Sequence, residues 1–94
     1  MHIAIIGAAG MIGRKLTERL VSNGQLSGQA IGRLTLVDVV APAAPVGFAG
    51  RVDASAADIS QPGQAALIVG SRPDIIFHLA AIVSAEAELD FEKG

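Results

Sequence analysis

Ile3-Ala4-Ile5-Ile6-Gly7-Ala8-Ala9-Gly10-Met11-Ile12-Gly13 decides how this chain is read. Ile3 to Ile6 is a short apolar run, rich in β-branched residues, that stops at a glycine, as a buried strand does. From Met11 the period changes. Ile12, Leu16 and Leu20 recur at every fourth position with Val21 beside them, while Arg14, Lys15, Glu18 and Arg19 fall on other faces. That spacing predicts an amphipathic helix of about three turns, closed at Ser22-Asn23-Gly24 by a Gly or Asn cap.

The join between strand and helix carries glycines at its first, fourth and seventh places. Each has a physical task. Gly7 lets the chain turn sharply off the strand, and Gly10 lets backbone approach a pyrophosphate with no Cβ between. Gly13 lets the helix pack close. The first N–H groups of the helix then face the phosphates, helped by the positive end of the helix dipole. A tight turn without a ligand is the bland alternative, and the strand before, the helix after and Asp38 downstream weigh against it. The other phosphate loop, ending in Gly-Lys-Ser/Thr, does not fit, because Gly13 is followed by Arg14-Lys15.

Working outward, residues 24 to 32 hold three glycines and small polar residues and read as a loop. Leu34 to Val37 is a second strand with Asp38 at its end. Residues 41 to 50, with Pro42, Pro45, Gly47 and Gly50, read as a connection with room for little or no helix. A third strand falls within 51 to 57, followed by Asp58-Ile59-Ser60. Pro62 suits the first turn of a second helix, with Ser60 or Gln61 near its cap, running to Gly70. Ile75 to Leu79 is the clearest strand, closed by Ala80-Ala81. The tail from Glu86 to Glu92 alternates polar and apolar residues, a pattern open to a strand. Its Ala and Glu content favours the start of a helix, with Glu86, Glu88, Asp90 and Glu92 on a solvated face.

Alternating strands and helices predict an α/β fold of the Rossmann type, a doubly wound parallel sheet of which 1–94 would be the N-terminal half. The fourth strand would lie beside the first, across the switch point where such sheets bind ligands. With the later helices absent, apolar sheet surface would be exposed, and the isolated chain would be marginal or self-associating.

Composition bounds the function. About half the residues are hydrophobic, with three Phe and no Tyr or Trp, so core volume comes from Ile, Leu, Val and Ala. The net charge of -2 and the lack of a basic cluster argue against nucleic acid. No run reaches the ~18 apolar residues of a membrane span. Without Cys there is no disulfide or thiolate metal site. The opening residues lack a secretory leader, so cytoplasm is the expected location.

Asp38 at the end of the second strand is placed to accept hydrogen bonds from adenosine ribose hydroxyls and to repel a 2′-phosphate, which favours NAD over NADP. Its distance from the glycines exceeds the usual ~20 residues, and a solvated turn Asp is the alternative. Asp58 and Ile59 would lie near the adenine, Asp58 accepting from its exocyclic amine; a cap or turn role is equally open. His78, between Phe77 and Leu79, reads as a structural His in a buried strand rather than a base. His2 reads as a strand start, Ser84 as a loop Ser. No metal set is apparent.

These stretches resemble the extended short-chain dehydrogenase/reductase family, the NAD-dependent epimerases and dehydratases. The resemblance rests on Gly7-Ala8-Ala9-Gly10-Met11-Ile12-Gly13, with Ile6 where Thr is frequent. It rests also on Asp38 with Asp58-Ile59, and on Asp74-Ile75-Ile76-Phe77-His78-Leu79-Ala80-Ala81. It implies an NAD site built from Gly7, Ala9, Gly10, Met11, Ile12, Gly13, Asp38, Asp58, Ile59, Leu79, Ala80 and Ala81. It also implies hydride transfer to NAD from a small-molecule substrate, a sugar acid or nucleotide-sugar; a homodimer is open as an assembly, with the oligomeric state not fixed by the sequence. Within the family, segments 36–42 and 78–84 are similar to enzymes that oxidise a four-carbon sugar acid. The resemblance further implies a catalytic Tyr and Lys four residues apart. The chain has no Tyr, and its only Lys residues are Lys15 and Lys93, so no catalytic residue is named and the substrate domain is expected elsewhere. A non-catalytic nucleotide-sensing module on the same fold is the second reading, and an assembly domain with an empty glycine turn the third.

Overall fold

A computed structural model describes residues 1–79. Strands β1 (His2–Ile6), β4 (Arg33–Asp38), β5 (Arg51–Ala56) and β6 (Ile75–His78) form one parallel sheet in the order β5-β4-β1-β6, and β2 (Gln25–Leu26) with β3 (Gln29–Ala30) makes a separate hairpin. Helix α1 spans Met11–Asn23 and α2 spans Gln64–Gly70. The fold is the expected α/β arrangement, with β6 beside β1 across the switch point.

Register explains which residues meet. Ile3 pairs with Leu34 on one side and Ile75 on the other, and Ile6 pairs with Val37 and His78. Alternate side chains of each strand point to opposite faces. Ile3, Ile5, Leu34 and Leu36, together with Leu20 and Leu79, build the core under α1. Ala4, Ile6, Val37 and Ile68 build a smaller one under α2. Both glycine-rich turn and Asp38 sit at the shared carboxyl edge of β1 and β4.

Four expectations need correction. Residues 24 to 32 are not an unstructured loop. Ser27 (φ 52°) and Gly28 (φ 81°) form a two-residue reversal between β2 and β3, the positive-φ pair that a tight hairpin requires. The second helix starts at Gln64, after Gly63 in the left-handed region (φ 86°), so Pro62 lies outside it; the chain from Asp58 to Gln61 is instead held in a turn by the Gln61 N–H donating to the Asp58 carbonyl. The buried stripe of α1 is Gly13, Thr17 and Leu20, not Ile12, which is 51% exposed. His78 is exposed rather than buried, because β6 is the outermost strand among the described residues and its even-numbered residues face the thinly covered side. The third strand and the helix-free 41–50 connection lie where the sequence puts them, and Gly24 (φ 71°) caps α1 through its N–H to the Leu20 carbonyl.

Apolar side chains do remain exposed, among them Leu67 and Val69 on α2, Ile76 on β6 and Val39 and Val40 after β4. No helix of the described residues is long and apolar enough to cross a membrane. The expected closing pair Ala80-Ala81, Ser84 and the tail lie outside the described residues.

Candidate nucleotide-binding site

The site grows from one strand end. Gly7 has φ 93°, a conformation that side chains disfavour, and it turns the chain from β1 across the end of β4. There the Val37 carbonyl accepts two N–H groups, from Gly7 at 2.8 Å and Ala8 at 3.1 Å. The next amide, Ala9, donates to Asp38 Oδ2 at 2.9 Å. The Val39 N–H donates to Asp38 Oδ1 at 2.7 Å.

Gly13 closes the turn from the other side. A Cβ there would lie 2.2 Å from the Gly7 carbonyl oxygen and 2.7 Å from Ala8 Cα, so the first turn of α1 rests directly on the strand-to-helix join. One turn on, the buried Thr17 hydroxyl donates to the Gly13 carbonyl at 2.8 Å. Gly10 differs. It is exposed, and the nearest atom to a Cβ placed on it is the Gly7 oxygen at 3.6 Å. No crowding among the described residues demands glycine at that position, so the space it leaves faces outward.

The remaining question is which amides are free. The first hydrogen bond of α1 is Arg14 N–H to the Gly10 carbonyl at 2.9 Å. The N–H groups of Met11, Ile12 and Gly13 have no backbone acceptor among the described residues, as the opening turn of any helix leaves them. These donors sit beside the outward space at Gly10. A diphosphate fits that cradle: bare donors, the positive helix end and no Cβ in the approach. Asp38 fits a ribose diol, since an ionised carboxylate has about four acceptor positions and two are engaged. Ala9, expected among the cofactor contacts, has its N–H committed to Asp38.

The Ala57 N–H donates to the Asp38 carbonyl at 2.8 Å, which brings the start of the next connection to the same edge. Asp58 follows, exposed, its Oδ1 accepting the Ser60 hydroxyl at 2.6 Å and the Ser60 N–H at 3.0 Å. The Ser60 hydroxyl, then its N–H, hold the Asp58 carboxyl below the ordinary aspartate range. This is a turn-forming Asp next to the same edge. Ile59 packs partly against the α2-side core. Leu79 is buried in the α1-side core, so its side chain serves packing; Ala80 and Ala81 lie outside the described residues.

A cleft of about 890 Å³ opens between α1 and the connection at 41–47, bordered by Ala8, Ala9, Arg14 and Glu18. Ala8 and Ala9 of the turn line it, whereas Asp38 and Gly10 to Gly13 do not. The sequence did not disclose the part played by the Val37 carbonyl, because a backbone acceptor leaves no mark in residue type.

A parallel sheet whose first strand leads through glycines into a helix with open amides, beside a strand-end carboxylate, defines a dinucleotide-binding domain of the Rossmann class. The chain matches the model of the NAD dependent epimerase/dehydratase family over residues 3–90, and it belongs to that family. It is 41% identical over 98 aligned positions to a D-erythronate dehydrogenase of Cupriavidus necator and 35% identical over 94 to one of Haemophilus influenzae, matching along its whole length. A crystal structure described as the nucleoside-diphosphate-sugar epimerase from Agrobacterium tumefaciens superposes with a TM-score of 0.86 at 67% identity, again covering all of this chain. The chain spans 30% and 29% of the two dehydrogenases and 28% of the epimerase.

Proposed function

We propose that this chain is the NAD-binding part of an oxidoreductase that acts on a sugar acid or a nucleotide-sugar. The observation that carries the reading is the pairing, on one strand edge, of three open amides (Met11, Ile12 and Gly13) with the half-committed carboxylate of Asp38. Met11 and Ile12 N–H would hold the diphosphate, and Gly10 would give it room. Asp38 would receive the adenosine ribose hydroxyls and disfavour a 2′-phosphate, with Asp58 and Ile59 towards the adenine.

NAD would supply the hydride acceptor. In that reaction a substrate alcohol carbon gives up a hydride and its hydroxyl a proton, leaving a ketone and NADH. No Tyr occurs in these 94 residues, so the proton acceptor that the family resemblance implies is not among them. The curated names of the relatives support a four-carbon sugar acid as the first substrate to try.

Calorimetric titration of NAD and NADP into the natural protein tests the cofactor reading. NAD is expected to bind at least about tenfold tighter, a difference of ~1.4 kcal/mol; equal or tighter binding of NADP overturns the role of Asp38. NADH formation with D-erythronate against a nucleotide-sugar then separates the substrate classes.

A further inference from the structure

Three consecutive amides of the turn, Gly7, Ala8 and Ala9, donate to the last two residues of the neighbouring strand. Two go to the Val37 carbonyl, which no side-chain substitution removes. The third goes to the Asp38 carboxylate and is the only one of the three that a side chain provides. The turn's one internal bond in this stretch, from the Gly10 N–H to the Gly7 carbonyl, is long at 3.3 Å. Ala9, two residues before the first open amide of α1, is thus tied back to the sheet through a single carboxylate.

We propose that Asp38 is a positioning residue for the diphosphate turn, in addition to any contact with ribose. This inference rests on the cofactor reading above and extends it. The carboxylate accepts the Ala9 N–H, and a hydrogen bond to an ionised acceptor is stronger than one between neutral groups. It holds Ala9 and Gly10 in place before a ligand arrives, so that less ordering is needed on binding. Each oxygen keeps an acceptor position, because Oδ2 serves Ala9 and Oδ1 serves Val39. One side chain therefore couples selection of the ribose to the geometry of the phosphate cradle, and a substitution that removes its oxygen loosens the turn.

The test uses the natural protein and two variants. Asp38→Ala removes the acceptor, whereas Asp38→Asn removes the charge and keeps a carbonyl oxygen in reach of the Ala9 N–H. Amide hydrogen exchange without ligand is read at Ala9, with the Gly24 amide as the control for an intact α1. Exchange at Ala9 is expected to rise about tenfold in Asp38→Ala and to return to within about threefold of wild type in Asp38→Asn, with Gly24 unchanged. The second probe is 2′,3′-dideoxyadenosine diphosphate, which has no ribose hydroxyls for Asp38 to hold. Its affinity should fall roughly threefold to tenfold in Asp38→Ala, the range of one lost hydrogen bond, and recover in Asp38→Asn. Wild-type exchange at Ala9 in Asp38→Ala, or unchanged affinity for the dideoxy probe, overturns the positioning role while NAD binding stands. Failure of the wild-type protein to bind NAD or ADP overturns the cofactor reading itself.

Discussion

The two ends of the sheet handle their aspartates differently. At the amino edge every carboxylate in view is closed by a partner. Asp74 Oδ2 accepts the His2 N–H at 2.7 Å, and Asp53 lies between Arg33 and Arg51, Nε to Oδ2, at 2.9 and 3.2 Å. Arg33 and Arg51 are register partners on neighbouring strands, a like-charge pair that Asp53 relieves. At the carboxyl edge Asp38 keeps acceptor positions open and three amides lack acceptors among the described residues. One edge holds the strands together and the other offers unused hydrogen-bonding capacity. In a parallel sheet this division follows from all strand ends of one polarity sharing an edge.

The strongest way to break the contrast is Gly13→Ala. Its Cβ meets backbone, not a flexible side chain, so α1 must move off the turn. Denaturant titration should show a loss of about 1–3 kcal/mol, and a displacement near 1 Å in the cradle should lower NAD affinity on the order of a hundredfold. Gly10→Ala sharpens it. With no close atom around its Cβ, stability should stay within about 0.5 kcal/mol of wild type. NAD affinity should still fall about tenfold or more, because the methyl enters the pyrophosphate approach. An affinity loss matched by an equal stability loss would show that Gly10 serves the fold alone.

The smallest effect belongs to the other edge. Burial alone would raise the Asp53 carboxyl, but hydrogen bonds from Arg33 and Arg51, with their charges, outweigh it and lower the pKa. A lowered carboxyl contributes stability above its unfolded value, near 3.9, and loses it as pH falls through the folded value. Asp53→Asn should cost about 0.5 kcal/mol at neutral pH after allowance for screening at this half-exposed site. The difference should shrink below roughly pH 4 and in high salt, with NAD affinity unchanged. A constant deficit down to low pH would remove the ion pair from the account.

These experiments bear on what the sequence makes legible. The strand-turn-helix around Gly7 is readable because apolar period and glycine spacing change together. The strand order follows from alternation, and Asp38 is readable as the last residue of an apolar run. Local competition hides the rest. Pro62 suggests a helix start, but the turn fixed by Asp58 and the left-handed Gly63 delay it. The β2–β3 hairpin escapes because its strands are only two residues long and mostly exposed; Ser27-Gly28 is the one available signal. His78 looks buried because Phe77 and Leu79 flank it, and no local pattern says that β6 is outermost among the described strands. Which amides of the cradle are open, and which is held by Asp38, depends on contacts between strands rather than on residue type.

The connection between β4 and β5 has a practical consequence. The Arg51 N–H donates to the Gly32 carbonyl and the Ala57 N–H to the Asp38 carbonyl, so β5 is anchored at both ends by its own backbone bonds, and within 41–50 Phe48 packs against the core. At the middle of that span Val46 is 94% exposed. Residues added or removed there would leave strand alignment untouched, making this crossing a natural port for a reporter sequence, or for variation in length between relatives.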